Sequence, residues 1–258
     1  MQIATFNANS VRARLPVLTG WLEREKPDLL CLQETKVRNE DFPAAEFESC
    51  GYHVVFRGQK SYNGVAVAGR EPFDVIRRDL FEEGDEQARF LEVRCRDFTL
   101  INVYVPQGFE VGSEKFAWKL RWLEGLYSYI AGFHDPASPL VVAGDFNVAL
   151  TPDDVYDPEH FAEKVAFHPD EQALVRRLLD WGLTDLFRKH TGGPGHYTFW
   201  DYRIPNAVKR NLGWRIDYIL ATEPVAVRSR AVRVDRDARL LPKPSDHTFL
   251  TAELDFQA

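Results

Sequence analysis

Six short apolar runs in this chain each carry an oxygen-rich or imidazole side chain at one end, and this repetition constrains the fold most. Four runs end at such residues: 3–6 before Asn7, 29–32 before Glu34, 100–103 before Tyr104, and 140–143 before Asp145 and Asn147. Two begin with them: 218–220 after Asp217, and 248–250 after Asp246 and His247. If the last two strands run antiparallel to their neighbours, all these side chains meet at one sheet edge, where ligands bind in open α/β sheets.

The side chains gathered there are rich in oxygen and contain no thiol. Hard divalent cations prefer such ligands, so the pattern predicts a cation acting on a phosphate group. Taken alone, each site has a simpler explanation: residues 144–147 could form an Asx turn, and Glu34 could be a solvated charge. The joint presence of all six patterns therefore carries the prediction.

Strands and helices alternate along the chain without a linker or an internal repeat. Apolar spacing predicts helices over residues 11–25, 116–133 and 171–181. Further strands are predicted over residues 52–56, 64–68, 90–95, 98–104, 215–221, 225–234 and 248–256. This order favours two stacked sheets flanked by helices, and 258 residues that are 45% hydrophobic fit one domain, residues 1–258. Two longer stretches, 151–170 and 191–213, are expected to be functional loops.

Composition argues against several classes of protein. No stretch reaches the roughly 18 apolar residues of a membrane span, and residues 1–7 are expected to form a strand rather than a signal peptide. Cys31, Cys50 and Cys95 lack metal-type spacing, so we expect reduced thiols and a cytoplasmic location. A net charge of −7 argues against a protein that merely coats nucleic acid, but a nuclease stays possible because a bound metal offsets the acids of its site.

Seven segments, taken together and in order, resemble exonuclease III, the abasic-site endonuclease branch of the endonuclease/exonuclease/phosphatase superfamily. They are residues 6–14 (FNANSVRAR), 31–36 (CLQETK), 64–66 (GVA), 102–108 (NVYVPQG), 144–147 (GDFN), 213–218 (GWRIDY) and 245–247 (SDH). The resemblance implies an α/β fold, a four-layered sandwich of two packed mixed β-sheets flanked by helices. It also implies phosphodiester hydrolysis that depends on Mg²⁺, with Mn²⁺ as a substitute.

The activities implied by this resemblance are incision 5′ to an abasic site, 3′→5′ exonuclease action on duplex DNA and removal of 3′-blocking groups. The expected partner is double-stranded DNA with abasic sites or 3′ ends, and the protein is expected to be a monomer. Two alternatives stay open: a phosphatase or phosphodiesterase on a small or lipid substrate, and a non-enzymatic DNA-binding module. The module would predict losses among Glu34, Asp145, Asn147 and His247, and none is missing.

Phosphodiester hydrolysis needs an activated water, charge stabilisation at phosphorus and help for the leaving oxygen. The expected catalytic residues are Tyr104, Asp145, Asn147, Asp217 and His247. The expected metal-binding residues are Asn7, Glu34, Asp145, Asn147, Asp246 and His247, with Glu34 as the principal ligand. Asp145 is expected to orient or deprotonate the water, and His247, oriented by Asp217, to donate to a phosphate oxygen as imidazolium. The number of metals and the identity of the general base stay open.

One residue departs from the family pattern. Where some members carry Asp, this chain has the neutral amide Asn9. A direct carboxylate ligand there is therefore in doubt, and metal binding is expected to be weaker or to favour one cation.

Two loops are expected to set the specificity. Phe199, Trp214 and Ile216 are predicted to form an apolar pocket that accepts a flipped-out abasic sugar, the alternative being that they belong to the core. Phosphate contacts are expected from polar and cationic side chains near the motif loops, although an ordinary surface group is the simpler explanation for any one. These residues are Arg12, Lys60, Tyr62, Asn63, Lys115, Lys119, Arg203, Lys209 and Arg210.

In this family, residues 163–169 lie in a long loop that is expected to approach the DNA. A bulky side chain there can fill the space that an extrahelical sugar needs, which leaves a 3′ exonuclease with poor internal incision. Ala166, which aligns with that position, predicts an open pocket and strong incision at abasic sites, and His168 is the alternative plug.

Overall fold

Two six-stranded mixed sheets form the centre of the protein in the computed structural model, which describes residues 1–81 and 87–256. In these ranges the strands are β1 (Gln2–Asn7), β2 (Leu29–Gln33), β3 (His53–Arg57), β4 (Val65–Gly69), β5 (Asp74–Arg77), β6 (Phe90–Arg94), β7 (Thr99–Tyr104), β8 (Leu140–Asp145), β9 (Leu183–Asp185), β10 (Asp217–Thr222), β11 (Ser229–Asp235) and β12 (Phe249–Leu254). The helices are α1 (Leu15–Glu25), α2 (Ala44–Ser49), α3 (Glu114–Phe133), α4 (Pro158–Phe161), α5 (Pro169–Trp181), α6 (Leu186–His190), α7 (Ala207–Arg210) and α8 (Glu223–Ala226). The strand order is β11-β12-β1-β2-β4-β3 in the first sheet and β5-β6-β7-β8-β10-β9 in the second.

Three apolar layers hold these elements together. The inner faces of the sheets pack against each other through buried side chains such as Cys31 and Leu100. Trp21 of α1 stacks on Phe249 of the first sheet, with ring centroids 3.9 Å apart, and Trp122 of α3 belongs to the apolar cluster that covers the second sheet. Burial of each such side chain contributes about 1.5–3 kcal/mol. The predicted four-layered sandwich is confirmed.

The strands that carry the polar ends have the predicted directions. β10 runs antiparallel to β8, with Asp217 opposite Asp145, and β12 runs antiparallel to β1. The prediction of one common sheet edge is wrong, because β1, β2 and β12 belong to the first sheet and β7, β8 and β10 to the second. The polar ends therefore meet where the edges of two stacked sheets adjoin.

The first helix is shorter than predicted. It begins at Leu15 rather than at residue 11, with Pro16 in its first turn. Asn9 and Ser10 have φ values of 44° and 93°, so the chain makes a tight turn before the helix. Proline suits the first turn of a helix because that turn lacks intrahelical partners for its N–H groups.

The predicted strand over residues 225–234 is wrong at its start. The short helix α8, with Pro224 in its first turn, occupies Glu223–Ala226, and β11 begins only at Ser229. The strands β5 and β9 were not predicted: β5 is mostly exposed, and β9 has only three residues. Such edge strands carry too few alternating apolar positions to give a sequence signal.

The cysteines and the helices of the structure agree with what the sequence predicted for them. Cys31 and Cys95 are buried, and Cys31, Cys50 and Cys95 are all free thiols. Burial raises the pKa of the Cys95 thiol to about 12 and raises that of Cys31 as well, so both stay protonated and unreactive. Within the described part of the chain, the helices are all too short or too polar to cross a bilayer.

Candidate active site

The side-chain amide of Asn7, at the end of β1, ties the two sheets together. Its Nδ2 atom donates to Glu34 Oε1 and to Asp145 Oδ2, at 2.8 Å in each case. Glu34 follows β2 of the first sheet and Asp145 ends β8 of the second. Because Asn7 is fully buried, this bridge fixes the separation of the two carboxylates.

His247, just before β12, joins two aspartates of the second sheet. Its Nδ1 lies 2.8 Å from Asp217 Oδ2, and its Nε2 lies 3.7 Å from Asp145 Oδ2. The hydroxyl of Thr198 accepts from the backbone N–H of Asp217 at 3.2 Å. The side chains of His247, Asp217 and Asp145 are all buried. The arrangement is an acid that orients an imidazole, which in turn faces a second acid.

These three groups shift one another's ionisation. Burial raises the pKa of Asp145 to about 7, against the opposing effect of His247 and with the help of Asp217. Burial lowers the pKa of His247, but the carboxylates of Asp217 and Asp145 outweigh it and raise that pKa to about 10. At neutral pH the imidazole is therefore charged, while Asp145 titrates in the range that suits a general base.

Asn147 and Tyr104 flank Asp145. The backbone N–H of Asn147 donates to Asp145 Oδ1, and its side-chain Nδ2 donates to Val105 O, both at 2.9 Å. Tyr104 lies beside Asp145 in the parallel register of β7 and β8. Burial raises the pKa of the Tyr104 phenol well above its ordinary value, and the carboxylate of Glu34 adds to this. The phenol is therefore a proton donor at all physiological pH values.

Lys36 is a charged residue of the site that sequence reasoning did not single out. Its Nζ lies 2.7 Å from Glu34 Oε2 and 2.5 Å from Asn9 Oδ1, and Asn9 Nδ2 donates to Asp246 Oδ1 at 2.9 Å. Burial raises the pKa of Glu34, but the Lys36 ammonium outweighs it and leaves that pKa below its ordinary value. The closeness of Lys36 to Glu34 in sequence was the available signal, although the left-handed φ values of Glu34 (50°) and Lys36 (56°) mean that this segment is not an extended strand.

A cleft of about 920 Å³ opens beside these groups. Phe199, Trp214 and Ile216 all line it, and Phe199 and Trp214 pair as an isolated β-bridge. The ring of Phe199 lies 4.9 Å from that of His247, centroid to centroid. The same three side chains pack into a small apolar cluster with Phe161. They form both a minor core and a cleft wall, so the two alternatives from the sequence are not exclusive.

Ala166 and His168, the two residues considered as a gate to the pocket, have different surroundings. Ala166 lines the cleft. His168 packs edge-on against Phe116, with ring centroids 5.2 Å apart, and its Nδ1 accepts from the backbone N–H of Asp170 at the start of α5. This hydrogen bond and ring contact hold His168 as a helix cap rather than as a plug.

Two of the predicted phosphate contacts are buried. For Lys119, full burial in an ion pair makes the prediction wrong, whereas for Asn63, which is as exposed as Asn147, the contact stays a prediction. Lys119 is fully buried, and its Nζ lies 2.6 Å from Glu171 Oε2. Asn63 is 8% exposed, and its Nδ2 donates to Gln59 Oε1 at 2.7 Å. The signal for Lys119 was its phase on α3, because residue 119 lies on the same face as the buried Trp122.

The other predicted contacts lie on the surface. They are Arg12, Lys60, Tyr62, Lys115, Arg203, Lys209 and Arg210. Among these seven, Arg203 is the one that lines the cleft. Its guanidinium pairs with Asp201 at 2.6 Å, and that of Arg12 pairs with Asp41 at 2.8 Å. The surface around the cleft therefore mixes cations with acids.

Within residues 1–81 and 87–256, a cation could bind at the aspartates around His247 or at Glu34. Asp145, Asp217 and His247 offer atoms within 4.8 Å of one another. A protonated imidazole cannot bind a metal ion, however, and Nδ1 of His247 is already hydrogen-bonded to Asp217. Glu34 lines the cleft, and its Oε2 already faces a cation, the ammonium of Lys36. Carboxylate and amide oxygens are the ligands of Mg²⁺. The residues present therefore fit a hard cation, and they fit it better at Glu34.

Comparisons with known proteins agree with this geometry. Residues 4–247 match the model of the Endonuclease/Exonuclease/phosphatase family. Over 266 residues the chain is 36% identical to exodeoxyribonuclease III of Haemophilus influenzae, covering 98% of this chain and 99% of that protein.

Several solved structures are similar over nearly the whole chain, two of them as follows. An AP endonuclease from Archaeoglobus fulgidus has a TM-score of 0.96 and 44% identity. The match covers 99% of this chain and 100% of that one. A 3′–5′ exonuclease from Neisseria meningitidis has a TM-score of 0.94 and 39% identity, with the same coverage of 99% and 100%. Family match, identity and fold all lead to one assignment: the chain belongs to the endonuclease/exonuclease/phosphatase family, in the branch of exodeoxyribonuclease III.

Proposed function

We propose that this protein hydrolyses the phosphodiester bond 5′ to an abasic site in duplex DNA, with 3′→5′ exonuclease activity and removal of 3′-blocking groups as companions. The protein is a DNA repair nuclease. One observation carries the proposal: the buried Asp217–His247–Asp145 chain lies beside a cleft whose other wall is apolar. The first feature suits a phosphate and the second suits a sugar without a base. The names of the relatives, exodeoxyribonuclease III and AP endonuclease, support the same activities.

His247 and Asp217 act on the phosphate. The imidazolium donates from Nε2 to a non-bridging oxygen and stabilises the charge that builds up at phosphorus. Asp217 holds Nδ1 at 2.8 Å and keeps the ring charged and oriented. The cleft-lining position of His247 supports this role.

Asp145, Asn147 and Tyr104 act on the water and the leaving oxygen. With its pKa raised to about 7 by burial, Asp145 accepts the proton of the attacking water. The backbone N–H of Asn147 holds Oδ1 of that carboxylate at 2.9 Å, while its side chain positions the phosphate. The phenol of Tyr104, which stays protonated, donates to the phosphate or to the leaving oxygen.

Glu34 would be the principal ligand of a divalent cation, Mg²⁺ with Mn²⁺ as a substitute, and Asn7 and Asp246 would complete the oxygen-rich surroundings. When bound, such an ion would supply positive charge to offset that of the phosphate. Asn9, the neutral amide at the family's variable position, donates to Asp246, so Asp246 is held by a hydrogen bond beside Glu34 and Lys36. This contact supports a role for Asp246 near the ion.

The apolar wall selects the substrate. Phe199, Trp214 and Ile216 accept an extrahelical abasic sugar, and the small side chain of Ala166 leaves room for it. Exposed Arg203, Lys115 and other surface cations contact backbone phosphates on either side. The protein acts as a monomer in the cytoplasm; its free, buried Cys31 and Cys95 fit a reducing compartment.

The test is cleavage of a duplex that carries one abasic analogue, with Mg²⁺ and with EDTA, beside an undamaged duplex as control. We expect incision on the 5′ side of the analogue in Mg²⁺, none in EDTA, and none inside the undamaged strand. A lipid or small-molecule phosphatase would leave both duplexes intact, and a DNA-binding module would shift their mobility without cutting.

The metal assignment is tested with Glu34→Ala. Because this carboxylate is the cleft-facing ligand, the variant is expected to keep its fold and lose activity by about two orders of magnitude or more at fixed Mg²⁺. Its affinity for Mn²⁺, measured by electron paramagnetic resonance without substrate, is expected to fall in parallel. Near wild-type turnover with an unchanged Mn²⁺ affinity would remove Glu34 from the metal site.

A further inference from the structure

Lys119 and Glu171 form an ion pair with no solvent exposure, and neither residue lines the cleft. Lys119 lies on α3 and Glu171 in the first turn of α5, and Nζ and Oε2 are 2.6 Å apart. Replacement of a buried pair by apolar side chains of similar volume is often neutral or stabilising. Stability alone therefore does not account for these two charges.

Each partner also bonds to the backbone of a segment at the cleft. Lys119 Nζ donates to Asn147 O at 2.7 Å and to Gln107 O at 3.3 Å. Glu171 accepts from the N–H of Ala166 at 3.1 Å with each of its two carboxylate oxygens. The polar atoms of the pair thus serve three loop segments, in addition to joining the two helices.

Two of these segments have a left-handed backbone: Asn147 has a φ of 52° and Ala166 a φ of 70°. Asparagine adopts this region more readily than other non-glycine residues, whereas alanine does so at a cost that its surroundings must offset. They are also linked directly, because the N–H of Ala149 donates to Ala166 O at 2.6 Å. Lys119 and Glu171 hold the two ends of this linked unit.

We propose that Lys119 and Glu171 are positioning residues that lock the Asn147 segment of the chemical centre to the Ala166 wall of the pocket. The inference rests on the proposed function, since it assigns a consequence for the substrate. At an internal abasic site, the sugar against Ala166 and the phosphate at Asn147 must be held in one geometry. A terminal 3′-phosphate uses the Asn147 side alone, so it depends less on the pair.

Three variants separate these contacts. Lys119→Met/Glu171→Leu removes all the loop hydrogen bonds while keeping similar volumes. Glu171→Gln keeps an acceptor for Ala166, because that N–H lies 3.1 Å from both carboxylate oxygens. Glu124→Gln is the matched control: Glu124 of α3 pairs with Arg177 of α5 at the surface, so it joins the same two helices without contacting the cleft.

The experiment measures kcat and KM in Mg²⁺ on a duplex with an internal tetrahydrofuran abasic analogue and on one with a terminal 3′-phosphate. Hydrogen exchange of residues 163–167 gives a readout independent of activity. For the apolar double variant we expect kcat/KM to fall about tenfold more on the internal site than on the 3′-phosphate, with faster exchange in 163–167. Glu171→Gln and Glu124→Gln are expected to keep the wild-type ratio between the substrates.

A folded double variant with the wild-type ratio and wild-type exchange would overturn the inference, as would a loss of the ratio in Glu124→Gln. Should the double variant fail to fold, Lys119→Met/Glu171→Gln keeps the acceptor for Ala166 and removes the donor to Asn147. It is then expected to lower kcat several-fold on both substrates equally, and an unchanged kcat would overturn the inference. A wild-type protein that removes the 3′-phosphate but spares the internal site would instead refute the proposed function, and this inference with it.

Discussion

The chemical centre and the pocket wall are built in different ways. In the centre, side chains at strand ends bond directly to one another, as Asn7 does to Glu34 and Asp145, each at 2.8 Å. In the wall, made from residues 149–167 and 197–216, the side chains that face the cleft are mostly apolar and offer few hydrogen bonds. The sheet edges hold the catalytic side chains in place, whereas the loops of the wall need contacts with other parts of the protein to hold their shape.

Buried charges beneath the loops give that support. On one side is the Lys119–Glu171 pair. On the other, Arg215 is fully buried with its Nε 2.6 Å from Asp154 Oδ1, and its backbone N–H donates to Asp154 O at 2.8 Å. Since Arg215 lies between Trp214 and Ile216 in sequence, this contact anchors the backbone of two pocket residues. Changes in the centre should therefore abolish activity, and changes in the wall should redirect it.

The largest effect is expected from Asp145→Asn, which removes the proposed base and leaves one acceptor oxygen where Asn7 and Asn147 now use two. We expect kcat to fall by about 10³-fold or more on abasic and 3′-terminal substrates alike. Equal loss on both substrates is the signature of the shared centre. Should one substrate keep most of its rate, Asp145 would not be the base for that reaction.

The same variant should not lose stability at alkaline pH. Burial raises the pKa of Asp145 to about 7, whereas the pKa of an aspartate in the unfolded chain is about 4. The folded state therefore loses stability as the pH rises from about 4 to about 7, because ionising the buried carboxyl costs free energy, and above about 7 the loss is complete. Thermal unfolding at pH 8 is therefore expected to occur at the same temperature as in the wild type or higher, and this relative gain should shrink toward pH 4.

The next effect is expected from Asp217→Asn, which leaves His247 without its charged partner. The carboxylates raise the pKa of His247 to about 10, so the imidazolium of the wild type is lost only as the pH rises through that value. In the variant this pKa falls, and we expect about 10²-fold lower kcat at pH 9 with a smaller loss at pH 6.5. A pH–rate profile decides: a loss that is equal at every pH would mean that Asp217 serves orientation only.

Much of the centre could be predicted because it follows from strand ends. The polar ends and the order of the apolar runs predicted Asn7, Glu34, Asp145 and His247 as neighbours, and the structure brings them together. What the sequence left open was that two sheets share them. Nothing in a strand's own residues tells which sheet it joins, because that depends on pairing between distant segments.

The support of the wall could not be predicted in the same way. Lys119 looked like a surface cation, although its phase with Trp122 indicates the buried face of α3. Its partner Glu171 lies 52 residues away, and no local pattern indicates that separation. The burial of Asn63 could not be predicted either, since it depends on how the segment before β4 folds. Long-range ion pairs require the tertiary structure.

A selective effect is expected from Ala166→Phe, which places a large ring on the cleft wall. The change adds bulk at a backbone that is already left-handed (φ 70°). We expect incision at an internal abasic analogue to fall about tenfold or more, while hydrolysis at a recessed 3′ end stays within about twofold. Ala162→Phe, exposed in the same loop and outside the cleft lining, is the matched control. Equal loss on both substrates would show that Ala166 does not gate the pocket.

The smallest effect is expected from Arg203→Ala. Arg203 lines the cleft, and its side chain is 89% exposed and held 2.6 Å from Asp201. An exposed pair contributes little to the fold, so its cation is available to a DNA phosphate, at the expense of the bond to Asp201. We expect KM to rise about two- to threefold with kcat unchanged, and the slope of log KM against log salt concentration to fall by about one unit. Asp201→Asn should lower KM instead, because it releases the guanidinium and removes a negative charge from the cleft. If both variants raise KM equally, the pair orders the loop and does not contact phosphate.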